Sequence, residues 1–392
     1  MIEIKKKSPI FIGKVQSSLI QEDVKLLSID YGKLKASHWG ICGKSWSWKT
    51  FALTSVLFWT IKDSIIQHYN ERSTIADTFI VLDPHNSNIP PLLSLLKSFY
   101  SEHLKYSRKS IILNYKKKSS DITGWSAYKW AYIEKTLKFN PLASKKLAYD
   151  ISYLSKAVNL NISALKCIFD FSAFGPRNSE IVETIIKTFL IINAKTLQDS
   201  PEKLLLSYRD IYDFFVILKN TGKLPSWINS SLKPFFFFFF IWMKKTVDAL
   251  YSQLKLFPVN LSGNKEFFDT TISKFKDFSG ELWITFGYEA TYGDLTMDLE
   301  VIYGENNFET RCFLFDLSEF ANSERKVIIA FLYSASYFLG SLKNHRKSIG
   351  THWVICDEFQ SFLELKWFKN PLIDLLEKGL NELRKYWISY LF

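Results

Sequence analysis

Cysteine is scarce. Cys42, Cys167, Cys312 and Cys356 are the only four in 392 residues, far apart and each in apolar surroundings. Without a CxxC pair the chain carries neither a disulfide framework nor a thiolate zinc site, and the pattern suits a reducing, cytosolic compartment. The six histidines are equally scattered, so their spacing offers no metal-binding constellation. Long apolar runs are missing too. The extreme one, Phe235 to Met243, has nine residues, against the roughly 20 that a membrane-spanning helix needs. After Pro234 it reads as the start of a buried helix, with a membrane-contacting patch as the alternative. Met1 to Lys7 leads into a strand-like stretch and not into an apolar signal core, so no signal peptide is expected. Glycine is the oddest shortage: 15 residues, about 4% where about 7% is usual. Tryptophan, at 12, is in excess, and the two together make up about 7%, the ordinary glycine share.

What is present is a chain able to fold. Hydrophobic residues make up 47% and charged residues 23%, enough for one large core or two domains and too apolar for a disordered tail. Lys and Arg outnumber Asp and Glu by 50 to 39, a net charge of +11. That permits a polyanionic partner, such as DNA or a nucleotide, or an acidic membrane surface. Periodicity predicts strands at Pro9 to Gly13, Val24 to Ile29, Trp39 to Cys42, Thr78 to Leu82 and Ile111 to Leu113. Helices are expected over 49–69 and 90–104, and then over 145–157, 178–195, 207–219, 235–256 and 265–277. Strands return at Leu282 to Phe286, Cys312 to Phe315, His352 to Cys356 and Trp387 to Phe392, with helices over 325–342 and 371–384. Alternation of strands and helices at both ends, around a helical middle, predicts an open α/β sheet with a helical insertion.

Gly43-Lys44-Ser45-Trp46-Ser47-Trp48-Lys49-Thr50 sits between an expected strand and an expected helix, the context a phosphate-binding loop requires. In such a loop successive backbone N–H groups form an anion-binding nest, and the helix N-terminus adds its positive dipole. Lys49 is then placed for the β- and γ-phosphates of ATP, and the Thr50 hydroxyl for Mg2+. The pattern GxxxxGK[ST] wants glycine where Trp48 stands, because a side chain there crowds the phosphates. Three readings stay open: a working loop misreported at two positions, a decayed loop, or an unrelated Ser/Lys-rich loop. The second site is His352-Trp353-Val354-Ile355-Cys356-Asp357-Glu358, an apolar strand ending in Asp-Glu. In a Walker B arrangement Asp357 holds the Mg2+ shell and Glu358 polarises the attacking water as general base. Alone, such an ending also describes any strand with a solvated acidic pair.

These segments form part of an ordered set. It runs His38-x-Gly40-Ile41-x-Gly43, Val81-Leu82-Asp83-Pro84, Phe139-Asn140-Pro141-Leu142, Phe315-Asp316-Leu317-Ser318, Val354-Ile355-Cys356-Asp357-Glu358 and Leu383-Arg384-Lys385-Tyr386. The set resembles the hexameric pumping ATPases of the HerA–FtsK superfamily, most of all the conjugation and type IV secretion ATPases of the TraC kind. Gly175-Pro176-Arg177 and Asp357-Glu358-Phe359-Gln360 also resemble the TraG/TraD-like coupling proteins. The resemblance spans about residues 8–392.

It implies an α/β fold: a P-loop NTPase (RecA-like), mostly parallel sheet flanked by helices, with an inserted all-helical subdomain. The expected divisions are a short β-rich segment over 1–37, the NTPase core over 38–142 and 281–392, and the helical insertion over 143–280. It implies an ATP- and Mg2+-dependent motor that drives DNA or protein through a conjugation or type IV secretion system. The motor would be a homo-hexameric ring, cytoplasmic and docked peripherally on a membrane complex. A DNA-binding coupling protein, or a catalytically dead assembly subunit, is the alternative. Gly43, Lys44, Ser45, Trp46, Ser47, Trp48, Lys49 and Thr50 would bind the nucleotide, Thr50 and Asp357 the metal, and Lys49, Glu358 and Arg384 would be catalytic. Arg384 is the candidate for the arginine that a ring ATPase supplies to the neighbouring site, with Arg177 and Arg346 as alternatives. Lys5-Lys6-Lys7, Lys116-Lys117-Lys118 and Lys244-Lys245 are either phosphate contacts in a pore or solvated faces.

Two departures matter. These families usually read GKSGSGKT and RKYG, so Trp46, Trp48 and Trp387 stand where glycine is expected. With the glycine shortage, this suggests UGA codons that mean glycine in some bacterial lineages and tryptophan in others. The chain also stops at Phe392, inside an expected strand, and only some 40 residues precede the loop; a gene fragment is the expectation.

Overall fold

Thr78–Asp83 is apolar at every position between its ends, the pattern of a strand covered on both faces, and all six residues are buried. His352–Cys356 is likewise buried throughout, and Thr310–Asp316 all but throughout. In the computed structural model these three runs lie side by side as the middle of a six-stranded, all-parallel sheet. The structure describes residues 10–15, 25–29, 46–70, 77–103, 110–116, 132–169, 176–228, 241–261, 265–280, 282, 290–295, 297–303, 310–340, 350–357, 371–382 and 388–391. The chain divides into two compact units. The first comprises residues 1–136, 301–325 and 339–392, and the second residues 137–300 and 326–338.

The first unit opens with the antiparallel pair β1 (Ile10–Val15) and β2 (Lys25–Ile29). Helix α1 (Trp46–Asn70), β3 (Thr78–Asp83), α2 (Ile89–His103), β4 (Ser110–Lys116) and β5 (Tyr132–Thr136) follow. Later segments add β6 (Thr310–Asp316), β7 (His352–Cys356), α10 (Pro371–Glu382) and β8 (Ile388–Leu391). The strand order is β5-β4-β6-β3-β7-β8. Strand residues two apart share a face. Phe79, Val81, Ile112, Cys312, Leu314, Trp353, Ile355 and Leu391 carry one core with Leu53, Leu57, Ile61 and Ile65 of α1 and Ile89, Leu92 and Leu96 of α2. The alternate residues Ile80, Leu82, Phe313, Phe315, Val354, Cys356 and Tyr390 are buried too. A parallel sheet flanked by helices is the α/β class that the sequence predicts.

Helix α1 has a fixed direction. Near its start the Thr54 Oγ1 donates to Asn88 Oδ1 (2.9 Å), just past the C-terminal end of β3. Ten residues on, Ser64 Oγ lies 3.4 Å from the hydroxyl of Thr310, the first residue of β6. Those ten residues span about 15 Å of helix. The helix therefore runs antiparallel to the strands, and its N-terminus is at their C-terminal edge.

The second unit is helical. It holds α3 (Leu154–Ile168), α4 (Pro176–Asp199), α5 (Tyr208–Thr221), α6 (Ile241–Leu261), α7 (Lys265–Ser279), the short α8 (Leu299–Ile302, which runs two residues into the first unit) and the body of α9 (Asn322–Gly340). Its core is aromatic: Tyr208 lies 4.7 Å from Phe278 and Phe215 5.8 Å from Phe267, ring centre to ring centre. The helix expected over 145–157 is corrected here. Residues 141–149 form turns, Ile151–Tyr153 is a single 3-10 turn, and α3 starts at Leu154. The backbone groups of that stretch are claimed by distant partners. Asn161 Nδ2 donates to the Pro141 carbonyl (3.2 Å), Asn193 Nδ2 to the Leu142 carbonyl (3.1 Å), and Lys146 N–H to Glu300 (2.8 Å). Helix α6 continues through Pro258 to Leu261, beyond its expected end, and β5 is an edge strand that periodicity did not signal. The expected strand at Trp39 to Cys42, the expected strand at Leu282 to Phe286 apart from Leu282, which lies in a turn, and the Phe235 to Phe240 run lie outside the described residues. Among the described residues, no helix is long and apolar enough to cross a membrane.

Candidate functional site

Two neighbouring strands end on aspartates, Asp83 and Asp316, and Asp357 directly follows a third at the same level. Asp83 and Asp316 are register partners, and the Asp357 N–H donates to the Leu82 carbonyl (3.2 Å). Side chains and loops at the C-terminal edge of a parallel sheet are where α/β proteins bind ligands. The three carboxylates nevertheless have different tasks.

Asp83 is fully buried. Its Oδ1 accepts from the backbone N–H groups of His85 (3.3 Å) and Ser87 (3.1 Å), and its Oδ2 from those of Asn88 (2.8 Å) and Ile89 (2.9 Å). Two of these donors open α2, whose first N–H groups have no acceptor within the helix. Burial pushes the Asp83 carboxyl above its ordinary value, and the four amides oppose that shift. Asp83 thus folds residues 84–88 back over the strand end. Asn86 sits there in the left-handed region (φ 54°), which asparagine tolerates better than most residues.

Asp316 also serves its own loop. Its Oδ1 accepts from the N–H (3.2 Å) and hydroxyl (2.6 Å) of Ser318. Arg325 donates to the carbonyls of Leu317 (2.8 Å) and Ser318 (2.7 Å), which holds the same turn from the other side.

Asp357 faces a different set. Its Oδ2 accepts from Asn88 Nδ2 (2.6 Å) and Ser87 Oγ (3.2 Å). Asn88 is itself fully buried, with its Oδ1 taken by Thr54 of α1. The carboxylate just past β7 is thus tied through one amide to the third turn of α1. Thr50 lies one turn before Thr54, so both are on the same face of the helix.

The expected phosphate loop is described in part. Helix α1 begins at Trp46, so Trp46, Ser47 and Trp48 have helical backbone, and Lys49 and Thr50, both half-buried, follow within its first two turns. The N–H groups of residues 46–48 are those that find no acceptor inside the helix. Phe51, next in the helix, is 64% exposed. Gly43, Lys44 and Ser45, as well as Glu358 and Arg384, lie outside the described residues, as do Arg346, Gly175, Phe359, Gln360 and Trp387. Of the other basic positions, Lys245 is exposed on α6. Arg177 and Lys116 are described in their backbone only; Lys5 to Lys7, Lys117 and Lys118 are not described.

A hydroxyl at Thr50 and a carboxylate at Asp357 are hard oxygen donors, the chemistry that suits Mg2+ with water and phosphate completing the shell. Among the described residues no group of three or more His, Cys, Asp or Glu side chains could hold a metal ion. A Mg2+ ion held by one or two protein groups and phosphate needs no such group.

One motif has a structural task within the helical unit. In Phe139-Asn140-Pro141-Leu142, Asn140 Nδ2 donates to the Leu206 carbonyl (2.9 Å). Asn193 donates to the carbonyls of both Leu142 and Leu206 (2.7 Å to the latter). The motif is a clamp between segments of the helical unit. Ser87, Asn88 and Thr54 are the residues that sequence reasoning missed; the one signal was the polar cluster Pro84-His85-Asn86-Ser87-Asn88 directly after a buried strand. No protein-family model matches the sequence, and no curated protein matches it significantly. The likeness to the HerA–FtsK ATPases stands on the residues alone.

Proposed function

We propose that the chain is a Mg2+-dependent P-loop ATPase of the ring-forming translocation type. The observation that carries this reading is the bridge from Thr54 through Asn88 to Asp357. It joins the third turn of the helix after a GxxxxxKT segment to an aspartate that directly follows a parallel strand. In this reading Lys49 neutralises phosphate charge, and the free N–H groups of α1 bind phosphate oxygens. Thr50 and Asp357 hold Mg2+, which when bound neutralises charge on the β- and γ-oxygens. Glu358, next in the chain, takes the proton of the attacking water. Arg384 is the candidate to complete a neighbouring site in a homo-hexamer. The cargo would be DNA or protein of a conjugation or type IV secretion system, with the ring docked peripherally on its membrane complex. A coupling protein differs in having DNA-stimulated turnover.

The helical backbone at Trp46 to Trp48 favours a second reading, an assembly subunit with a decayed loop. Tryptophan stands at two positions, 46 and 48, where the phosphate-loop pattern has glycine. One set of measurements separates the readings: binding of a fluorescent ATP analogue and Mg2+-dependent phosphate release. A working enzyme loses binding with Lys49→Ala. With Glu358→Gln it keeps binding but loses turnover by about 10²- to 10⁴-fold. A decayed loop binds nothing as written and gains binding when Trp46→Gly and Trp48→Gly are combined. No binding in either form sinks the ATPase reading. The codons at 46, 48 and 387 test the same point: UGG at all three would rule out recoded glycine.

A further inference from the structure

The Asn88 side chain is constrained at every polar group. Its backbone N–H is held by Asp83 (2.8 Å), its Oδ1 accepts from Thr54, and its Nδ2 donates to Asp357 and to Ser87 Oγ (3.3 Å). A carboxylate only accepts hydrogen bonds. The amide nitrogen must therefore face Asp357, and the amide oxygen is left for the Thr54 hydroxyl. The 2.6 Å contact is at the short end for an N–H donor on a charged acceptor. Ser87 adds a second donor on the same oxygen. Two donors on Oδ2 fix the rotation of the carboxylate about its own bond, which a strand end by itself leaves open. The same amide touches α1 one turn beyond Thr50. One side chain thus sets the carboxylate and the helix turn carrying the hydroxyl relative to each other.

We infer that Asn88, with Ser87 and Thr54, is a positioning residue for the metal-holding carboxylate Asp357 and for its spacing from Thr50. This rests on the ATPase reading above. The groups that orient a metal ligand typically carry 10- to 100-fold in metal affinity. The loss should fall on the metal-dependent part of nucleotide binding and spare the part carried by Lys49 and the α1 amides.

The test uses the full chain, Mn2+ as a spectroscopic substitute for Mg2+, and a non-hydrolysable ATP analogue. Mn2+ affinity is read by electron paramagnetic resonance with the analogue bound. Analogue affinity is read separately in EDTA. For Asn88→Ala we expect Mn2+ affinity to fall by about 10-fold or more, with unchanged affinity in EDTA. Ser87→Ala and Thr54→Val, smaller changes at the same contact, should give smaller losses of the same kind. They carry the test alone if circular dichroism finds Asn88→Ala unfolded. Wild-type Mn2+ affinity in the folded variants overturns the inference and leaves the ATPase reading intact. An equal loss in EDTA also overturns it, since the residues would then support the loop as a whole. If neither the chain as written nor its Trp46→Gly, Trp48→Gly form binds the analogue in either condition, the ATPase reading fails and takes the inference with it.

Discussion

At the scale of single residues, the C-terminal edge of the sheet separates carboxylates by what they accept. Asp83 accepts four backbone amides and Asp357 two side chains, so the two aspartates should respond differently to substitution. Leaving buried amides without an acceptor costs about 1–3 kcal/mol each in the worst case, and part of that is recovered by water in a loop. Asp83→Ala should therefore lower the unfolding free energy in urea by about 3 kcal/mol. Asp83→Asn, which keeps one carbonyl oxygen, should lose less. A loss below about 0.5 kcal/mol for Asp83→Ala, the scatter of ordinary surface changes, would mean that the amides do not depend on it. Neither aspartate's task is legible from the residue before Pro84 or Glu358. What distinguishes them is the partner that the fold brings up.

At the scale of elements, local signals account for most of what forms. Helix α5 is marked at both ends. Ser207 Oγ accepts from the Arg209 N–H, and Asp210 accepts from the Ser207 N–H (2.7 Å), so each residue satisfies the other. Gly222 follows the helix in the left-handed region, φ 63°. A Cβ at Gly222 would meet nothing within 4 Å, so the cost of Gly222→Ala is conformational alone, about 1 kcal/mol. Ser207→Ala should cost about 1 kcal/mol as a lost cap. Urea midpoints of the two variants check both values, and their double variant should be additive because the sites are at opposite ends of the helix. The stretch over 145–157 has one local marker, Asp150, whose carboxylate accepts from the Ser152 N–H (3.0 Å) and caps the 3-10 turn. Its helical spacing yields before Leu154, where the Lys146 N–H donates to the distant Glu300 (2.8 Å) and Asp150 caps a separate 3-10 turn. Propensity yields where tertiary partners satisfy the backbone better.

At the scale of the whole molecule, buried acids set the pH response. Burial raises the carboxyls of Asp83, Asp210 and Glu300. An acid with a raised value in the folded state holds its proton longer there than in the unfolded chain. Its contribution therefore falls as pH rises from about 4, the unfolded value, through the folded one. Asp150 and Asp294 are shifted down, chiefly by the hydroxyls of Ser152 and Thr291. Their contributions are present above about pH 4 and are lost as pH falls through the folded values. Both are exposed, so solvent screens them and the raised acids should dominate. The midpoint of thermal unfolding should be highest in mild acid and decline toward neutral pH, with a shallower decline in Asp210→Asn. A midpoint that climbs from pH 5 to 7 would contradict this.

The sequence alone determined the class of the fold and the strands at the middle of its sheet. Thr78–Asp83, Thr310–Asp316 and His352–Cys356 are legible as buried strands because covering both faces requires apolar residues at every position. Strand-then-helix alternation then leaves a parallel sheet as the economical arrangement. The Lys49–Thr50 and Asp357–Glu358 pairs are legible because their residue types and neighbours are local features of the chain. Only the tertiary structure decided that β3 lies between β6 and β7 and that α1 runs against the strands. It alone turned Ser87 and Asn88 toward an aspartate about 270 residues away. Strand order and cross-chain hydrogen bonds depend on which surfaces meet after collapse, and no spacing within a local window encodes that choice.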